Sequence, residues 1–264
     1  MRLKETVAAT AFWFFERSRL LRVEIGQRAY VSAYEFFKRR ADRAVVGYLR
    51  DELRRGLTVV DIGANVGFYT VLMAKAVGSR GKVIAIEPSA WAAGVLRSRI
   101  RKLGLTNTVL VQAALGDDEG NGTLYVGRFP QDSRVYRNAQ TQREESVSMT
   151  TLDRLLQSTT PDLVKIDVQG SELDVLRGMS RTLRRGTKLV LLMELWPDGL
   201  REAGTDPQQL LRVLEAAGME AEIINPSGER KRVTTADLWE RCAARTGWYA
   251  DVIFSRGNQS RQDT

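Results

Sequence analysis

Residues 57–67 read LTVVDIGANVG, a β-branched apolar run that ends on an acid and breaks into glycines. The run has the length and composition of a strand buried on both faces, and the residues that follow, near Phe68–Ala76, carry a helical pattern. In open α/β sheets, ligands bind outside the carboxyl ends of the strands, where a first turn meets a helix N-terminus. Gly63 permits the tight turn and a close backbone approach; Gly67 lets the helix pack near the strand. Twenty residues beyond Gly67 the second strand, KVIAIEP, ends in Glu87. An acid there is placed to accept hydrogen bonds from both hydroxyls of a ribose.

Outward from this unit the alternation continues. Ala90–Lys102 reads as a helix and TVLVQAAL as a third strand. GTLYVG and ESVSMTTL then form an antiparallel pair, joined by the polar stretch Arg128–Glu145. DLVKIDV is a strand, Ser171–Leu183 a helix, KLVLLMEL a strand and Pro207–Ala217 a helix; AEIINP and YADVIFS are two late strands. This rhythm predicts an α/β, Rossmann-like fold: a mostly parallel seven-stranded sheet with helices on both faces. The expected organisation is an N-terminal helical extension over 1–55, with helices at 3–22 and 29–50. The main domain follows over 56–256 with a β-hairpin insertion, and 257–264 is a frayed tail.

The 264-residue chain contains no histidine and one cysteine, Cys242. A Ser-His-Asp triad, a His-ligated zinc, an imidazole base, an intrachain disulfide and a cysteine metal cluster are all excluded. Any proton transfer falls to Asp, Glu, Lys, Tyr, water or a carboxylate-bound metal. The single cysteine fits a reducing, cytoplasmic setting. The net charge is +8, and eleven lysines and arginines face five carboxylates within the first 50 residues. Such a balance raises an anionic partner, nucleic acid or a membrane surface, without constraining the fold. VAATAFWFF, Val7–Phe15, is too short to span a bilayer, and no small-residue cleavage site follows it. Its expected place is an amphipathic helix. Phe12 and Phe15, with Tyr34 and Phe37 of the next helix, would pack on the main domain or on a second subunit of a homodimer. Peripheral membrane attachment is the alternative.

The glycine turn narrows the ligand. A dinucleotide fingerprint, G-x-G-x-x-G, turns backbone amides toward a pyrophosphate. Here the order is G-A-N-V-G, with Asn65 in the middle glycine's place and Asp61 ahead of the turn. An acid at that point suits a cationic ligand end better than a pyrophosphate. S-adenosylmethionine carries an ammonium and a sulfonium and no phosphate, so a methyl-donor site is expected, against a purely structural turn or another nucleoside.

The blocks VVDIGANVGFYTVLMAK, GKVIAIEPS, AALGD, TTLDRLL, DLVKIDVQGSELDVLRGM and LLMELWP, taken in that order, resemble the FkbM family of methyltransferases from about Leu57 to Pro197. The resemblance implies the class I methyltransferase fold and S-adenosylmethionine as cofactor. It also implies transfer to hydroxyls of sugars or other natural products, often in bacterial glycan or antibiotic pathways. On matching positions it implies the donor's methionine end near Asp61, Gly63 and Asn65, with Ala64, Gly67 and Phe68 completing the turn. Glu87 would hold the ribose, and Pro88 and Ser89 would shape the adenosine pocket. Ala113, Ala114 and Leu115 would border the adenine or simply belong to the core.

Methyl transfer from a sulfonium is an in-line displacement in which the protein mainly aligns donor and acceptor. A hydroxyl acceptor must also lose or share its proton as the bond forms. Lys165 and Asp167 alternate with Val164 and Ile166 and so project to one side of their strand. They are either an ion pair that orders the strand end or catalytic groups. In the catalytic reading Asp167 lies beside the donor as base or acceptor-orienting group, and Glu194 is the second carboxylate in the same crevice. A magnesium or calcium ion on Asp167 and Glu194 is a lesser alternative to a metal-free site. The sequence departs from the family's usual D-V-E-G at Gln169, which cannot act as a base. The preferred expectation is that Gln169 caps the helix opening at Ser171; a lost base is the other.

The polar detour supplies Arg134, Tyr136 and Arg137, which with Gln169 are candidate contacts for a hydroxyl-rich or anionic acceptor, or else members of a solvated loop. The expected function is O-methylation of a sugar, glycan or natural product. The basic N-terminal segment prompts an RNA methyltransferase as an alternative, although no RNA-binding module is visible. A cofactor-binding scaffold inactivated through Gln169 is the third reading.

Overall fold

The computed structural model describes residues 23–127, 133–185, 188–244 and 246–256. The helix expected at 3–22, Phe12, Phe15 and the 257–264 tail lie outside these residues. Helices α1 (Glu24–Ala41) and α2 (Arg43–Glu52) precede β1 (Thr58–Ile62), α3 (Phe68–Val77), β2 (Lys82–Ile86), α4 (Ala90–Lys102) and β3 (Thr108–Val111). Then come β4 (Ala114–Leu115), β5 (Gly120–Val126), β6 (Arg143–Thr150), α5 (Leu152–Leu156), β7 (Leu163–Ile166), α6 (Glu172–Gly178) and α7 (Ser180–Arg185). The chain continues through β8 (Val190–Leu195), α8 (Pro197–Glu202), α9 (Pro207–Ala216), β9 (Met219–Ile224), β10 (Arg230–Val233), α10 (Thr235–Ala244) and β11 (Ala250–Arg256).

The main sheet has the order β10-β9-β11-β8-β7-β1-β2-β3. The five strands from β3 to β8 are parallel, and β11, β9 and β10 are antiparallel. The expected seven strands become eight because β9 turns back into β10. That strand reads RKRV and is mostly exposed, so it offers no apolar alternation to read. The expected β5–β6 antiparallel pair is present, but it is joined by β4 in a separate three-stranded sheet. The TVLVQAAL run is therefore two strands, which leave the main sheet between Val111 and Ala114.

Alternating residues face the two layers. Val60, Ile62, Ile84, Ile86, Val164 and Ile166 pack with Leu173 and Leu176 of α6 and Leu210 and Leu214 of α9. On the opposite face Val59, Val83, Leu163, Leu192 and Ile253 meet Val45 and Leu49 of α2 and Met73 and Val77 of α3. Each fully buried aliphatic side chain of this kind contributes about 1.5–3 kcal/mol. The helix expected at 29–50 is two helices, broken at Asp42 (φ −107°, ψ 31°). The Asp42 carboxylate accepts from the Tyr69 hydroxyl at 2.6 Å and pairs with Lys38. The helix expected at 171–183 likewise breaks at Met179 (φ −118°, ψ 21°), whose side chain is fully buried in the core. Helix α1 lies against the β1–α3 turn through Tyr30, which packs with Val66, Val95 and Trp91, and through an ion pair from Glu35 to Arg99.

One consequence of register positions the site. Ile62, Ile166 and Met193 are neighbours across β1, β7 and β8, so the residues after them, Gly63, Asp167 and Glu194, arrive at one level. Glu194 stands directly opposite Asp251 of β11.

Candidate active site

A cavity of about 1040 Å³ opens at the carboxyl ends of β1, β2, β7 and β8. That volume has room for a nucleoside-sized donor and an acceptor together. Its two ends differ in construction.

The donor end is the turn after β1. Gly63 has φ +78°, and a Cβ there would lie 1.9 Å from the carbonyl oxygen of Asp167, so no other residue fits. Asn65 takes φ +48°, a left-handed conformation that Asn tolerates, and its Oδ1 accepts from the Val66 amide at 2.7 Å. The amides of Gly63 and Ala64 both donate to Ile86 O, and that of Gly67 to Ala64 O. The amide of Asn65 donates to Glu87 Oε2 at 2.8 Å. Every amide of the turn is thus consumed internally, and none is left to cradle a pyrophosphate.

The Glu87 carboxylate also accepts from the Ser89 amide at 2.9 Å through Oε1. Burial pushes its carboxyl up to about 7, against these two amides, which favour the charged form. Below the turn, Asp61 is wholly buried. Its Oδ2 accepts from the Thr70 hydroxyl at 2.6 Å, while Oδ1 has no hydrogen-bond partner. Burial raises the Asp61 carboxyl, tempered by Lys165 and by Thr70. A phosphate-free nucleoside fits this arrangement: an acid at ribose level, an orphaned carboxylate oxygen beneath the turn and no anion-binding amides.

Of the donor residues expected from sequence, Gly63, Ala64, Asn65, Phe68, Glu87, Pro88, Ala113, Ala114 and Leu115 line the cavity. Asp61, Gly67 and Ser89 do not line it. Gly67 is a packing glycine, because a Cβ would sit 2.3 Å from Leu96 Cδ1. Ser89 caps α4 by accepting from the Ala92 amide.

The acceptor end is built from charged side chains. Lys165 and Asp167 do form an ion pair, at 2.9 Å, and both line the cavity. The Lys165 ammonium also lies 4.4 Å from the Tyr69 ring centroid. The cap expected at Gln169 is a correction. Its amide donates instead to Asp167 Oδ1 at 3.2 Å, and the Gly170 amide at the opening of α6 is taken by Glu172 Oε1 at 3.0 Å. A glutamate at 169 would set a second carboxylate against Asp167, whereas the amide of Gln donates to it. Burial acts to raise the Asp167 carboxyl, but Lys165, Lys38 and the two hydrogen-bond donors prevail and hold it below the ordinary range. Glu194 goes the other way: burial first, then Asp167 and Asp251, push it up to about 8.

Of the expected acceptor contacts, Gln169 and Arg134 line the cavity. The Arg134 guanidinium lies between the Tyr136 and Trp196 rings, 5.6 and 5.1 Å from their centroids, and it pairs with Glu202 at 2.6 Å. Tyr136 and Arg137 do not line the cavity. The Tyr136 hydroxyl is directed at the carbonyls of Gln169 and Gly199, and Arg137 is exposed and paired with Glu144. Tyr34 and Phe37, expected only to pack, line the cavity from α1.

Sequence reasoning missed Lys38, Asp42 and Tyr69 on the helical side, Asp251 on β11 and Tyr249 just ahead of that strand, all of which line the cavity. A signal existed for Asp251, an acid opening the apolar strand YADVIFS. For Lys38, inside the run KRR, there was none. Among the described residues, no group of three or more His, Cys, Asp or Glu is arranged to hold a metal ion, and no helix is long and apolar enough to cross a membrane.

The parallel order β3-β2-β1-β7-β8 followed by antiparallel β11 and β9, with a glycine turn after β1, is the fold of class I S-adenosylmethionine-dependent methyltransferases. Residues 61–220 match the model of the methyltransferase FkbM domain, and the chain belongs to that family. It is similar to the hexuronic acid methyltransferase AglP of Haloferax volcanii, at 22% identity over 187 residues, 70% of this chain and 72% of that protein. It is also similar to the methyltransferase sdnD of Sordaria araneosa, at 26% identity over 180 residues, 54% of this chain and 68% of that one. A solved methyltransferase FkbM from Methylobacillus flagellatus aligns at 16% identity over 75% of this chain, with a TM-score of 0.48; the match spans 43% of that chain.

Proposed function

We propose that the chain methylates a hydroxyl oxygen of an uncharged, hydroxyl-rich acceptor, a sugar, glycan or other natural product, with Glu194 as the base. The observation that carries this reading is the placement of Glu194. It is half-buried at the acceptor end, level with Asp167, and its carboxyl is raised to about 8, the range in which a general base works near neutral pH. Asp167, held low by its cations, is the weaker base and serves to orient the acceptor.

S-adenosylmethionine, when bound, supplies a methyl group on a sulfonium that needs no further activation. Glu87 would hold its ribose, and Asn65, Pro88, Ala113, Ala114 and Leu115 would line the nucleoside. Glu194 takes the proton from the acceptor hydroxyl, and Lys165 and Gln169 keep the Asp167 carboxylate fixed beside it.

The charge of the cavity supports an uncharged acceptor. Among the described residues, seven carboxylates line it (Asp42, Glu87, Asp167, Glu194, Asp198, Glu202 and Asp251), against Lys38, Arg134 and Lys165. This lining opposes a uronate or a nucleic-acid phosphate, although the chain as a whole is basic. The test is transfer of label from methyl-tritiated S-adenosylmethionine to neutral glycosides, their uronic acid counterparts and structured RNA. Label in the neutral glycosides is expected; label confined to RNA or to uronic acids overturns the reading. Glu194→Gln is expected to abolish most turnover while leaving S-adenosylhomocysteine affinity unchanged, and a fully active variant removes Glu194 as the base.

A further inference from the structure

We propose that Asp251 is a positioning residue for Glu194: it faces Glu194 directly across the β8–β11 ladder, shares a proton with it, and receives that proton when Glu194 takes the acceptor's. The proposal rests on the reading of Glu194 as the base. Asp251 lies beyond residues 61–220, the part of the chain that matches the family model.

The geometry comes from strand register. Asp251 and Glu194 are Cα partners in the antiparallel ladder. Directly opposed residues project to the same face, with Cβ atoms about 5 Å apart. Both side chains line the cavity. On the other flank Asp167 follows Ile166, the register partner of Met193, so Glu194 is the middle of three carboxylates on three adjacent strands. Three ionised carboxylates in one row repel, and the least costly arrangement leaves a proton on the middle one. Asp167 has its own cation, Lys165 Nζ at 2.9 Å, and a donor in Gln169 Nε2.

The charged and titratable groups that face Glu194 come from every element around it. They are Lys165 of β7 and Asp167 just after it, Asp251 of β11 and Tyr249 just before it, Tyr34 and Lys38 of α1, Asp42 at the α1–α2 break and Tyr69 of α3. Lys38 favours an ionised Glu194; burial and the three aspartates oppose it and prevail. Burial, and then Asp42, also push Asp251 up, to about 6. Two raised carboxyls set opposite each other in the ladder would titrate as a unit and hold one proton between them near neutral pH.

In turnover the acceptor's O–H bond breaks and its proton goes to Glu194. The proton that Glu194 held passes to Asp251. The electron pair left on the acceptor oxygen forms the new bond to the methyl carbon, whose bond to the donor's sulfur would break with both electrons staying on sulfur as a neutral thioether. The two carboxyls end with two protons and return one to water.

The test needs no acceptor. Full-length protein is labelled with ¹³C at the glutamate side-chain carboxyl, the Glu194 resonance is assigned by its loss in Glu194→Gln, and it is titrated with and without S-adenosylhomocysteine. The wild-type midpoint is expected well above the ordinary glutamate range, at least one pH unit lower in Asp251→Asn, and restored in Asp251→Glu. Asp251→Ser replaces the asparagine variant if the latter does not fold. An unshifted midpoint in the folded variant, or a wild-type midpoint in the ordinary range, overturns the proposal. A shifted midpoint in Asp251→Asn with full turnover in Glu194→Gln would keep the coupling and remove the base. An inactive Glu194→Gln with an unshifted midpoint in Asp251→Asn would do the reverse.

Discussion

At the donor end of the cavity, most of the necessary contacts come from one short stretch of chain, residues 61–89, and most are backbone hydrogen bonds fixed by Gly63, Asn65 and Glu87. At the acceptor end, side chains from α1, β7, β8 and β11 meet although they are as much as two hundred residues apart; ion pairs hold Lys38 to Asp42 and Lys165 to Asp167, while Glu194 and Asp251 stand acid against acid. The first end depends on conformation, so it tolerates almost no substitution at its turn. The second depends on a charge balance, so single substitutions there change chemistry before they change structure.

Five experiments can break or sharpen this contrast. The largest effect is expected from Gly63→Ala, whose Cβ meets the Asp167 carbonyl at 1.9 Å. Backbone strain and overpacking cost about 3 kcal/mol or more, and calorimetry should detect no S-adenosylhomocysteine binding. A normally binding variant would mean that the turn is softer than described. Glu194→Gln comes next, with a loss of about 10²- to 10⁴-fold in turnover and no change in donor affinity.

Glu87→Gln is expected to act only at the other end. Both oxygens of Glu87 accept backbone amides, so one amide would face the NH₂ of Gln, weakening S-adenosylhomocysteine binding about 10- to 100-fold at unchanged turnover with saturating donor. In wild type the pair can take the acceptor's proton once it has lost the first of its own two, so turnover should rise through about pH 6; in Asp251→Asn Glu194 must give up its own proton first, and the rise should follow the Glu194 midpoint of that variant instead. The smallest effect concerns stability. Glu87, Glu194 and Asp251 are all raised by folding. The stability they contribute is complete below their ordinary values and is lost as pH rises through the raised ones. The melting temperature of the ligand-free protein should therefore fall by a few degrees between pH 5 and 8.5, and by less in Glu194→Gln. A flat wild-type profile would show that these acids are not buried in the protonated form.

How much of this was legible in the sequence follows the same division. The β1 turn, Glu87 and the mostly parallel character of the sheet could be read because local patterns determine them: a β-branched run, glycines at fixed spacing, an acid at a strand end. Lys165 and Asp167 were legible as a pair because alternation on one strand fixes their side. The partner of Glu194 was not, since β11 pairs antiparallel with β8 from the far end of the chain, and no local pattern announces which residue will stand opposite. The break at Asp42 was hidden for a similar reason. Its cause is a carboxylate engaged by Tyr69 from another helix, while the apolar pattern runs straight through it. Gln169 was misread because a residue ahead of a helix suggests a cap, and only the left-handed backbone at φ +54° turns its amide back toward Asp167.

The contact between Gly63 and the Asp167 carbonyl works as a ruler. With no side chain between them, the donor turn and the carboxylate row are spaced by the thickness of two backbones, a distance that no rotamer can alter. The reach between donor and acceptor is in this sense built into the sheet itself. Substitutions along the row can change which acceptor is welcomed and at what pH it reacts, while the gap that the methyl group must cross stays the same.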